Sequence, residues 1–277
     1  CYEFRGLAQI VVGCESYSPA SGWPYRQIIE RLKKDFVSSN RSKRNSVQVE
    51  AAKALVEEYV NYYSPYWVSG LSVTQSALDV RQAEELRRQV DSLAAKMELE
   101  LKKDQSPKTN EKANGRNRLS FTDSLVLAHW DSQSYNGESF VDLFDFCDCL
   151  ERRTSSDAIT RQCRKMKRFI AEKFVLKSCY SGAAYQYSYG VSVYFPWSQI
   201  SSRYENLDFV KDSSTRGWLQ FLKTYTELTR RRPRGFDGFL DADNPSAGED
   251  AFAAGRMTDL RMTDLRMTDL RMTDLRM

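Results

Sequence analysis

The spacing of apolar residues switches from a continuous run to a helical period within the first 36 positions. Ala8 to Val12 is a short apolar run ended by Gly13, the pattern of a strand covered on both faces. Pro19, Gly22 and Pro24 punctuate a loop after it. Pro24 then opens a helix. Ile28, Ile29, Leu32 and Phe36 recur along one face, and Lys33 and Lys34 favour its C-terminal end. Strand, loop and helix in this order predict an α/β fold. A loop at the C-terminal end of a parallel strand is where such folds place their ligands.

The pattern continues in blocks. Val37 to Ser46 is a polar, basic loop with Arg41, Lys43 and Arg44. Val47 to Tyr63 predicts a helix with Val49, Ala52, Leu55, Val56, Tyr59 and Tyr63 on its apolar face. Ser64-Pro65 breaks it. Tyr66 to Val73, rich in aromatic and β-branched residues, predicts a second strand with a turn at Ser69-Gly70. Ser72 or Thr74 can cap the next helix, from about Gln75 to Leu101, with Leu78, Val80, Leu86, Val90, Leu93, Met97 and Leu101 as its stripe. Lys102 to Arg118 carries charges, amides, Pro107 and Gly115 and reads as a solvated linker open to proteases.

Helical spacing returns over Leu119–Ser134, with Leu125, Val126, Leu127 and Trp130. Ser139–Leu150 and Asp157–Lys173 follow as helices. Phe174–Tyr180 and Gly190–Phe195 predict strands, the second stopped by Pro196. The loop between them holds Tyr185, Tyr187 and Tyr189. A helix over Gly217–Leu228 completes a domain spanning 1–230. Residues 231–255, rich in Gly, Asp and Ala, predict a disordered linker.

From Arg256 the pentapeptide Arg-Met-Thr-Asp-Leu repeats four times. Five residues advance about 140° beyond one helical turn, so the repeated leucines share no helical face. Read from its threonine, the repeat is similar to the pentapeptide repeat of square β-helices. Four copies make about one coil, too little to bury a core alone, so residues 256–277 are expected to be disordered, with a folded coil as the alternative.

The 277 residues carry a hydrophobic fraction of 41%, enough for a sizeable core. A net charge of +4 does not call for nucleic acid, and no nucleic-acid-binding motif is present. No apolar run is long enough to span a bilayer. Six irregularly spaced cysteines do not form a disulfide framework. Cys147-x-Cys149 is too short for zinc spacing, and one histidine cannot complete a site, so neither a metal nor another cofactor is expected. Gly-x-Ser-x-Gly and a Gly-rich phosphate loop are both missing. A cysteine nucleophile needs a nearby base, and His129 lies between apolar residues on a helix. It reads as structural, and Cys14 reads as a small residue at the edge of the core. The motifs alone contain no complete active site.

Three segments in this order resemble the clostripain family of cysteine peptidases: Val12-Gly13-Cys14-Glu15 with the loop Pro19-Ala-Ser-Gly-Trp-Pro-Tyr25, then Ser139-Phe-Val-Asp-Leu-Phe-Asp-Phe146, then Gly190-Val-Ser-Val-Tyr-Phe-Pro196. Asn206-Leu-Asp-Phe209 extends the likeness, which covers about residues 1 to 228. It implies a caspase-like three-layer α/β sandwich with a largely parallel sheet, here incomplete at the N-terminus. It also implies that the catalytic cysteine and histidine lie upstream of Cys1. This chain is then a C-terminal fragment that completes its domain with a missing N-terminal half and is inactive alone. The implied partner is a peptide or protein substrate, with Glu15, Ser21 and Trp23 as pocket walls. Many members carry Asp before the Gly-Trp, suited to a basic P1 side chain; this chain has Ser21 there, so Glu15 would have to supply the charge. The competing expectation is a caspase-like scaffold without catalysis that binds a partner protein.

Overall fold

A four-residue strand, β1 (Ile10–Gly13), leads into two helices, α1 (Tyr25–Ser38) and α2 (Arg44–Tyr63), before the chain re-enters the same sheet as β2 (Val73–Asp79). The computed structural model describes residues 1–38, 44–105, 120–135, 137, 139–212 and 217–230. The two helices pack on each other, and α2 packs on the sheet. β2 runs against β1, with Val11 opposite Leu78 and Gly13 opposite Ser76. A single crossover helix would have made the pair parallel. β2 pairs with β5 (Val175–Ser181) in the same sense, giving the order β1-β2-β5. A second sheet, β3-β4-β6, joins Ser134–Tyr135, Phe140–Asp142 and Ser192–Tyr194. The expected largely parallel sheet is corrected accordingly: every strand pairing among the described residues is antiparallel.

The remaining helices are α3 (Ala83–Asp104), α4 (Phe121–Asp131), α5 (Leu143–Arg153), α6 (Asp157–Phe169), the single turn α7 (Asp208–Lys211) and α8 (Gly217–Arg230). A π-turn over Ile170–Phe174 links α6 to β5. Adjacent residues of β2 face opposite ways. Ala77 packs with Ala52 and Val56 of α2, whereas Leu78 joins a larger core of Val90, Leu93, Met97, Phe146, Phe174, Trp218 and Phe221. The first sheet thus has a helical layer against each face. β1 is only half-buried rather than covered on both faces, and its outer edge has no strand neighbour among the described residues.

Two expected elements move. The strand expected over Tyr66–Val73 is a 3-10 turn, Ser64–Ser69, with Tyr66 and Val68 exposed. Gly70, at φ +80°, ends the turn. The strand begins where the next helix was expected and is buried along its whole length despite Thr74, Gln75, Ser76 and Asp79. Asp79 then accepts the backbone N–H of Arg81, and α3 starts at Ala83. The segment Ser139–Leu150 is not one helix. Phe140–Asp142 pairs as a strand, and Asp142 caps α5 by accepting the Asp145 N–H at 2.8 Å. Lys102–Asp104 belong to α3. Most of the expected Lys102–Arg118 linker, the centre of the Val37–Ser46 loop, the 231–255 linker and the repeat tail lie outside the described residues.

Candidate site at the Glu15 cleft

β1 ends at Gly13, and Cys14, Glu15 and Ser16 carry the chain toward the second sheet. Glu15, Ser16 and Tyr17 line an open cleft of about 180 Å³ together with Phe140 of β4 and Ser192 of β6. Glu15 Oε2 accepts the Gly190 N–H at 3.0 Å and the Thr74 hydroxyl at 3.4 Å. The Ser16 hydroxyl meets the Tyr185 hydroxyl at 2.5 Å. The Tyr-rich loop therefore braces the cleft through Ser16 and Glu15.

Behind Glu15 stands Asp142, fully buried. Its Oδ1 caps α5, and its Oδ2 accepts the Tyr189 N–H at 2.6 Å. The two carboxyls are brought together by consecutive donors, Tyr189 N–H to Asp142 and Gly190 N–H to Glu15, and each acts on the other. Glu15 Oε1 is buried and meets no N–H or hydroxyl donor among the described residues. Two carboxylates only accept, so a hydrogen bond between them requires a proton. Burial raises Glu15 to about 7, against the lowering effect of Asp142 and of the donors Gly190 and Thr74. Burial and then repulsion by Glu15 push Asp142 well above the usual carboxylate range. Tyr135, hydrogen-bonded to Ser188 at 2.6 Å, is also driven upward, by burial and the charges of Glu15 and Asp142.

Gly190 permits this packing. Its φ of +107° is a conformation side chains rarely adopt, and a Cβ there would meet Ser76 Cβ at 3.0 Å and Ser178 Cβ at 3.1 Å. The close approach lets Gly190 donate to Glu15 while its carbonyl accepts the Ser76 hydroxyl at 2.8 Å.

Ser21 and Trp23, expected as pocket walls with Glu15, contact α2. Tyr63 donates to the Gly22 carbonyl, which leaves the Ser21 hydroxyl to donate to Tyr63 at 2.7 Å. Trp23 packs on Tyr59 with ring centroids 5.3 Å apart. Trp23 also joins the cluster of Tyr59, Val60, Tyr63 and Val73, the last of these next to Thr74, which bonds Glu15. Asp142 and Gly190 lie within two of the family-like segments but with no role read for them there, and Tyr135 carries no signal; the capping spacing of Asp142 to Asp145 says nothing of Glu15.

His129 is buried between Phe195 and Trp197, stacked at 3.7 and 3.8 Å, with Nδ1 3.2 Å from the Tyr225 hydroxyl. Burial lowers it to about 3. The Cys14 thiol donates to the Ser16 carbonyl. No contact between a cysteine and His129 is recorded among the described residues. No group of three or more His, Cys, Asp or Glu side chains among them is placed to hold a metal ion, and no described helix is long and apolar enough to cross a membrane.

Comparison with solved structures finds an inactive zymogen of a C11 protease from Parabacteroides distasonis, 17% identical, with a TM-score of 0.45, covering 76% of this chain and 55% of that one. The chain thus spans little more than half of that protease. No curated protein matches. The clostripain family matches residues 1–225, most of the chain and the same span that carries the three motifs. On that match, the chain belongs to the clostripain family of peptidases.

Proposed function

We propose that this chain supplies the substrate-binding wall of a clostripain-type cysteine endopeptidase, with the nucleophilic cysteine and its histidine expected on sequence upstream of Cys1. The observation that carries the reading is Glu15. In a chain of this family, the loop after β1 presents a buried carboxyl at the wall of an open cleft, backed by Asp142 and braced by the Tyr-rich loop. The cleft is the right kind of place for a peptide side chain: concave, walled by an aromatic ring, and supplied with a few polar groups. Ser21 and Trp23 would act further along the same loop by fixing its path over α2.

The chain itself supplies no thiol–imidazole pair, since His129 sits among aromatic rings and stays neutral. It is expected to neither cleave peptides nor react with a thiol-directed peptide inhibitor. Turnover that disappears in Cys14→Ala would place the nucleophile here and overturn that part. The pocket is tested by titrating the full chain with short peptides and following backbone NMR shifts. Shifts at Glu15, Ser16, Phe140 and Ser192 that vanish in Glu15→Ala support the reading. Shifts confined to other surfaces would favour a partner-binding scaffold.

A further inference from the structure

We infer that a proton held between Glu15 and Asp142 is a latch, joining the loop after β1 to the junction of β4 and α5, and that its loss loosens the cleft and makes it anionic. Each carboxyl is anchored from a different part of the fold. Glu15 is tied to β2 through Thr74 and to the loop before β6 through Gly190. Asp142 is tied to the first turn of α5 through the Asp145 N–H and to the Tyr-rich loop through the Tyr189 N–H. Glu15 Oε1 is buried and has no hydrogen-bond partner among the described residues. One proton therefore closes a bridge between the two sheets. Without it, two buried like charges face each other at the base of the cleft.

The titratable groups facing the pair are Tyr135 of β3 and Asp145 and Cys147 of α5, and none of these three is a cation. Nothing among them offsets a second negative charge. The raised Glu15, at about 7, puts the change near neutrality. The sign follows from linkage. The folded chain holds a proton that the unfolded chain releases near 4.5, so stability is full below that pH and is lost as pH rises through about 7.

The latch does not depend on what the cleft binds, and its test needs no substrate. Carboxyl carbons of Glu15 and Asp142 in the full chain are followed by NMR from pH 4 to 9. The expected result is one of them titrating near neutrality, with both resonances moving together. Both titrating near the ordinary carboxylate range would overturn the inference without touching the pocket reading. In parallel, urea unfolding is compared between the native chain and Glu15→Gln. The amide keeps an oxygen for Gly190 and Thr74 and donates an N–H to Asp142 at every pH. The native midpoint should fall relative to that of Glu15→Gln between pH 5 and 8, and parallel profiles would also overturn the latch. Should the variant not fold, the native NMR titration alone decides.

Discussion

Replacing Gly190 by Ala tests the packing on which the site depends. Alanine at φ +107° costs about 1–3 kcal/mol in backbone strain. Its Cβ would lie 3.0 Å from Ser76 Cβ and 3.1 Å from Ser178 Cβ, on two strands already paired with each other, so neither yields freely. Moving Gly190 away weakens its hydrogen bonds to Glu15 and Ser76, each worth roughly 1 kcal/mol. Together these effects predict a loss of about 3–5 kcal/mol, a large part of a typical domain's stability. Equilibrium urea unfolding followed by tryptophan fluorescence should show a midpoint about 1–2 M lower. Gly70→Ala is the control, because Gly70 also has positive φ, +80°, but nothing within 4 Å of a Cβ. It should lose only about 1–2 kcal/mol. Equal losses in the two variants would show that Gly190 matters for conformation alone, and refute the close packing of its loop against β2 and β5.

His129→Phe should change stability by no more than about 1 kcal/mol at neutral pH, since it keeps the ring stack and loses one hydrogen bond. In acid it should gain. The native imidazole stays neutral down to about 3 while the unfolded one protonates near 6.5, so native stability falls through that window and the variant's should not; unfolding at pH 4.5 and 7 reads the difference. Arg87→Met should cost about 2–3 kcal/mol by thermal unfolding, because Arg87 is mostly buried between Glu84 at 2.6 Å and Asp91 at 2.9 Å. The Arg87 hydrogen bond is the main cause holding Glu84 near 2. That pair's contribution should be intact above 4.5, fade as pH falls toward 2, and be missing from the Arg87→Met profile.

The helices were largely legible because their apolar stripes repeat over many turns. α2 starts three residues before its expected Val47, and α4, α6 and α8 lie within two to four residues of their expected bounds. β2 was not legible. Thr74, Gln75, Ser76 and Asp79 read as a helix start, and they are buried because neighbouring elements cover them, not because they are apolar. Tyr66 and Val68 mislead in the opposite direction, with strand-forming side chains on an exposed turn. The sheet direction depends on a pair of packed helices between β1 and β2, which a strand–loop–helix reading takes one at a time. Within the site, Glu15 is reached through the family resemblance, not from the pattern of its loop. Its coupling to Asp142 was not legible, because only the fold brings those two positions together.

A central strand with four polar residues among its seven has a kinetic consequence. β2 has little hydrophobicity of its own to draw it inward early, so it depends on partners far along the chain. Ala77 must find Val12 on one side and Lys177 on the other. Such pairings are slow to form, because long loops have to close before any burial is gained. The helical core around Leu93, Met97, Phe146 and Trp218 can assemble first and leave a partly folded chain whose sheet is still open. In refolding, protection of the α3 and α5 amides should therefore precede that of Thr74 to Leu78. Until the sheet closes, Glu15 and Asp142 have not met, and the cleft cannot exist in a half-folded molecule.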